Sequence, residues 1–156
     1  MTLTPNFLPV GSIVEYDYKN ELGKMPVVVY GIHPPTPQKY PRLDGKWLVD
    51  IWVDGTTYIT TPIDDISPIS LTQEILTEWC GFEKIIGTED EFIFKDEESR
   101  TILELTEFYK QGGRGVFYSN YPNLDAHTCI AYVEFLHQLQ HLYSALTQTV
   151  LPITIK

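Results

Sequence analysis

Between residues 12 and 61 apolar side chains recur at every second position in short runs, and glycine, proline or asparagine stops each run. That period belongs to half-buried β-strands and not to helices, so this part of the chain is constrained to a small sheet that turns back on itself. Residues 12–19 carry Ile13, Val14, Tyr16 and Tyr18, and Asn20-Glu21-Leu22-Gly23 follows as a turn whose glycine admits positive φ. The β-branched run Val27-Val28-Val29, continued by Tyr30 and Ile32, predicts the return strand of a hairpin, covered on both faces. Residues 33–45 hold Pro34, Pro35, Pro37 and Pro41, which cannot donate to a ladder, and predict a long exposed loop. Beyond it Trp47, Val49, Ile51 and Val53 share one face of a strand over 46–53, and Asp54-Gly55 turns that strand into a partner over 56–61. Short strands at this spacing predict an SH3-like small β-barrel over residues 1–66.

After Pro62 the pattern changes. Thr72 is placed as an N-cap, Leu71 and Leu76 as a hydrophobic staple and Gly81 as the glycine after the last turn, so the sequence predicts a helix over 73–80. Runs at 91–95 and 100–109 read as strands around an Asp96-Glu97-Glu98-Ser99 turn, and Gln111-Gly112-Gly113-Arg114-Gly115 turns the chain into a strand at 116–119. Residues 127–134 pass both as a strand and as the start of one long helix. Over 136–147 the apolar stripe Leu136, Leu139, Leu142, Tyr143 and Leu146 predicts a helix that packs on the meander. The expected class is α+β: the barrel, then a helix, an antiparallel β-meander and a carboxyl-terminal packing helix, with 67–156 either a second subdomain or continuous with the first.

A chain of 156 residues is about one domain's worth. Eleven Lys and Arg against 21 Asp and Glu give a net charge of −10, which opposes binding to a phosphate backbone and excludes general nucleic-acid binding. No apolar run is long enough to span a membrane, and the uncharged, proline-containing start has no basic segment ahead of an apolar one, so a cytoplasmic home is expected. Cys80 and Cys129 fall into no metal-ligand spacing and read as reduced thiols.

Three blocks carry a resemblance: Pro68-Ile69-Ser70-Leu71-Thr72-Gln73-Glu74-Ile75-Leu76, then Cys80-Gly81-Phe82, then Val133-Glu134-Phe135-Leu136-His137-Gln138-Leu139-Gln140-His141-Leu142-Tyr143-Ser144-Ala145-Leu146-Thr147. Together they resemble an uncharacterised family of small proteins from Bacteroides-group bacteria and their phages. Ser70 and His141 depart from that family's pattern, which has proline and asparagine there. The resemblance implies a strand through 127–134 and a gene that travels on phages or other mobile elements, with an accessory or counter-defence role. It brings no catalytic residue or cofactor to these positions.

Four groups of residues bear chemistry. His137 and His141 have the i, i+4 spacing of helical zinc ligands, although Gln138 stands where a zincin has glutamate; the alternative is that His137 bonds a backbone group at the helix start while His141 faces solvent. Gly112-Gly113-Arg114-Gly115 offers backbone N–H groups and a guanidinium to an anion, against the plainer reading of a hairpin turn. The carboxylates Glu83, Glu89, Asp90, Glu91, Asp96, Glu97 and Glu98 read as a solvated face, a docking surface for a basic partner or a general acid/base pair, the last needing a burial that a run beside turn residues does not promise. Lys39, Tyr40 and Arg42 set basic and aromatic side chains in the proline loop, where little entropy is lost on binding. No Gly-x-Ser-x-Gly elbow is present.

The function expected from these features is a non-enzymatic, cofactor-free binding protein that engages a host or phage partner protein through exposed loops and an acidic face. Two alternatives stand beside it. An oligomer of this chain would sequester a nucleotide-like anion between Arg114, Arg42 and rings such as Tyr40 or Tyr118. A hydrolase without a local motif would show itself by a metal requirement at His137 and His141.

Overall fold

A computed structural model describes Leu3, Pro5 and residues 8–19, 23–35, 45–53, 57–107, 113–120 and 128–155. The chain falls into two compact units, Met1–Ile69 and Ser70–Lys156. Both are built on antiparallel sheets, and one α-helix closes the second, so the molecule is mixed α+β. Among the described residues no helix is long and apolar enough to cross a membrane.

In the first unit, strands β1 (Ile13–Asp17), β2 (Lys24–His33), β3 (Leu48–Trp52), β4 (Tyr58–Pro62) and the two-residue β5 (Ile66–Ser67) form one sheet. Its order is β4-β3-β2-β1-β5. Val14, Val27, Val29, Val49 and Ile51 fill its inner face and pack with Leu3, Leu8, Ile63 and Ile66, which is the alternation the sequence announces. Val27 and Val29 face this core while Tyr30 is exposed, so β2 is less covered than its valine run implies. The sheet does not close into the expected SH3-like barrel. The 3₁₀ turn Ile63–Asp65 joins β4 directly to β5, and β5 is short and pairs with β1, so among the described residues no ladder joins the two edge strands.

Beneath the regular pairing of β2 with β3 lies one irregularity. The register Val29↔Ile51 is followed by Gly31↔Asp50, so Tyr30 is an extra residue. Such a bulge bends the strand and re-aims side chains.

The second unit begins with a helical segment at residues 73–79. Thr72 caps it, its Oγ1 accepting from Ile75 N at 3.2 Å. Leu71 and Leu76 are both buried, as a staple requires. Ile75–Trp79 is a π-helical turn, since Cys80 N reaches back to Ile75 O at 3.1 Å, and Gly81 at φ +71° ends it. The second sheet follows in the order β10-β9-β8-β7-β6. Its strands are β6 (Glu83–Lys84), β7 (Glu91–Asp96), β8 (Thr101–Glu107), β9 (Arg114–Asn120) and β10 (Thr128–Val133). Phe92, Leu105 and Val116 stand in register across its middle and are fully buried.

Helix α1 (Leu136–Thr147) packs on this sheet through the Tyr143 ring, edge-on to Phe94 at 5.8 Å between centroids. Gln138 caps its start, Oε1 accepting from Glu134 N at 2.8 Å and Phe135 N at 3.2 Å. Its end is held by Gln148 in the left-handed region at φ 60°.

Candidate functional site

The outer face of the first sheet carries three exposed aromatic rings beside a polar pair. Because Val49 and Ile51 point into the core, pleating sends Asp50 and Trp52 to the other side. Register then places Tyr58 opposite Trp52, and Thr60 opposite Asp50. The bulge brings Tyr30 to the same region, its ring perpendicular to Trp52 (78° between planes) with centroids 5.4 Å apart. Tyr30, Trp52 and Tyr58 are 60%, 40% and 69% exposed. Large aromatic side chains normally lose most of their surface on folding, so three neighbours left this open across adjacent strands are a feature to explain.

Beside the rings sits an ordered polar group. His33 Nε2 stands 2.6 Å from Asp50 Oδ2, and Thr60 Oγ1 donates to Asp50 Oδ1 at 2.6 Å. Asp50 is only 18% exposed. The pair packs closely on Gly31: a Cβ there would lie 3.2 Å from Asp50 Oδ2 and 3.5 Å from His33 Nε2. A carboxylate held at both oxygens fixes the orientation of the imidazole, as in other carboxylate–histidine pairs. Chemically the face combines ring surfaces for stacking, a fixed negative charge and an oriented histidine.

The residues singled out from the sequence are distributed elsewhere. Lys39, Tyr40 and Arg42 lie outside the described residues. Arg114 and Tyr118 lie on β9, four residues apart and so on one face. The Arg114 guanidinium is turned to the fold itself: Nε donates to Leu71 O at 3.3 Å, Nη1 to Asp90 O at 3.2 Å, and the group sits 4.9 Å over the Phe92 ring. Arg114 and Gly115 are strand residues, and Gly113 packs on the Val133 carbonyl, its place for a Cβ 3.3 Å from that oxygen.

His137 and His141 are separated by burial. His141 is exposed, whereas His137 is 1% exposed and stacks on Phe135. The expected backbone bond from His137 is absent, because neither ring nitrogen has a hydrogen-bond partner and Gln138 supplies the cap instead. Burial holds the His137 imidazole below the usual histidine range. Among the described residues no three His, Cys, Asp or Glu side chains stand together as a metal site would need.

Of the acidic run, Asp96 is the residue with the most structure. Its carboxylate accepts from the Ser99 hydroxyl at 2.6 Å, from Glu98 N at 3.0 Å and from the Tyr143 hydroxyl. Ser99 and Tyr143 hold it below the usual carboxylate range, while burial and Asp96 push Tyr143 up. An open cavity of about 730 Å³ borders this network, with Glu97, Thr147, Thr149 and Val150 on its walls. Because the Asp96 oxygens already have partners, the network reads as a tie between the turn and α1.

The aromatic row and the His33–Asp50 pair were not singled out from the sequence. One signal points to them: a glycine inside a strand run, which marks a bulge; the Asp54-Gly55 turn read from the sequence lies outside the described residues. Set against protein-family models, curated proteins and solved structures, the chain matches none of them.

Proposed function

We propose that this protein is a non-enzymatic binding protein and that the outer face of its first sheet, Tyr30–Trp52–Tyr58 with Asp50 and His33, docks a partner protein. The observation that carries this reading is the joint exposure of the three rings beside a rigidly held carboxylate. Aromatic side chains on a preformed surface bind at low entropic cost, and tyrosine and tryptophan are the residue types that most often anchor interfaces. The partner this surface fits is a protein with a basic segment, since the chain itself carries −10. The SH3-like character expected of this sheet belongs to the same proposal, supported by the meander in which β5 returns to β1. So does the setting on phages or mobile elements in an accessory or counter-defence role, supported by the family resemblance alone.

Co-purification with defined variants tests the reading. The partner retained by the wild-type chain is expected to be lost from the Trp52→Ala, Tyr58→Ala double variant. It is expected to be kept by Ile86→Ala, a change at a side chain 99% exposed in the second unit. Retention by the double variant at wild-type level overturns it.

A further inference from the structure

Resting on that docking reading, we propose that the element of the partner that fills the face is an arginine side chain, held across the Tyr30–Trp52–Tyr58 rings with its charge toward Asp50.

Ring faces carry negative potential and attract cations, and the guanidinium is planar enough to stack on them while donating sideways. Trp52 lies in the middle of the row, opposite Tyr58 in the ladder on one side and in edge contact with Tyr30 on the other. The perpendicular setting of Tyr30 and Trp52 makes a corner of two ring planes, a shape that accepts a flat group better than a bulky aliphatic one. Asp50 lies two residues before Trp52 on β3, on the same face. Its side chain is 18% exposed, and its position is fixed by Thr60 and His33. A cation over Trp52 thus sits in the field of a carboxylate already in place, an attraction that asks no further hydrogen bond of Asp50 and lowers the ordering cost of the pair.

The other occupants fare worse. A second copy of the chain would set two chains of −10 against each other. A nucleic-acid backbone has the same sign of charge, and an acidic peptide meets Asp50. The fold already uses the proposed contact once, where Arg114 lies over Phe92 and donates to carbonyl oxygens.

The test titrates labelled Gly-Arg, Gly-Lys, Gly-Ser and Gly-Glu repeat peptides into the wild-type chain and into Trp52→Ala and Tyr58→Ala, with thermal melts to show that each variant folds. The Gly-Arg peptide is expected to bind most tightly and to lose roughly tenfold in affinity in Trp52→Ala. Tyr58→Ala, a change at a mostly exposed ring, is expected to weaken it in the same direction. Equal affinity for wild type and both variants would mean diffuse attraction to an acidic protein and overturns the inference, as does tighter binding of Gly-Ser than of Gly-Arg. The two readings fail separately. If co-purification depends on Trp52 but Gly-Arg binding does not, the arginine assignment falls and the docking face stands; if co-purification ignores Trp52, the docking face itself falls.

Discussion

Asp50 reaches His33 across Gly31: the carboxylate Oδ2 is 2.6 Å from His33 Nε2 and would be 3.2 Å from a Cβ at position 31. The contact links two strands one step beyond the Tyr30 bulge, so the backbone irregularity and the polar pair are one device. A Gly31→Ala substitution therefore asks Asp50 to move, and Asp50 is held at its other oxygen by Thr60. The expected result is a loss of about 1–3 kcal/mol in denaturant unfolding and a change in the His33 ring-nitrogen signals by NMR. Unchanged stability with an unchanged His33 environment would show that the carboxylate has room to spare.

His137 makes the second unit sensitive to acid. Its folded-state affinity for a proton is lowered by burial, so between that lowered value and the ordinary histidine value near 6.5 the unfolded chain binds more protons than the folded one. Stability then rises with pH across that window, and it is lost on acidification starting below about pH 6.5. Replacing His137 by Phe, which keeps a ring against Phe135, is expected to flatten the unfolding midpoint between about pH 5 and 7. A wild-type midpoint that is already flat there would contradict the buried, unpartnered imidazole.

The Tyr143–Asp96 bond joins α1 to the β7–β8 turn. Tyr143→Phe removes the hydroxyl while keeping the ring that packs on Phe94, and is expected to cost about 1–3 kcal/mol. Asp96 has a lowered pKa, so its share of stability is present above the unfolded value near 3.9 and is lost as pH falls through the folded value. In the Phe variant the Asp96 carboxyl is expected to titrate closer to 3.9, measured by carbon-detected NMR.

Cys80 is buried and its thiol is pushed up to about 12, so it carries almost no thiolate near neutrality. A thiol reagent added to the folded protein at pH 7 is expected to spare Cys80 until denaturant is added. Rapid modification of Cys80 under native conditions would show that the packing around it opens.

What was legible in the sequence is what depends on local pattern. The Val49–Ile51 alternation, the Thr72 cap, the Gly81 stop and the 136–147 helix stand where residue spacing and cap chemistry put them. Residues 127–134 were ambiguous because Cys129, Tyr132 and Leu136 also step like a helix; pairing of β10 with β9, a contact between distant residues, decides for the strand. The same limit hid the candidate site. Asp50 and Trp52 share a face by the period of β3, but Tyr58 joins them only through the β3–β4 pairing and Tyr30 only through the bulge in the β2–β3 register, and no periodicity displays either. The contacts of Arg114 were not legible either, because the carbonyls its guanidinium bonds, those of Leu71 and Asp90, lie 43 and 24 residues away. His137 looked like half of a metal pair because helical spacing reports a shared face and not how deeply each residue on it is buried.

The docking claim is tested most directly by photo-crosslinking inside the native host, with a photoreactive phenylalanine analogue placed singly at Tyr30, at Tyr58 and at Ile86. One and the same partner adduct is expected from positions 30 and 58, with its loss when Trp52→Ala is added and no such adduct from position 86. An adduct that forms equally from position 86, or that survives Trp52→Ala undiminished, would contradict it.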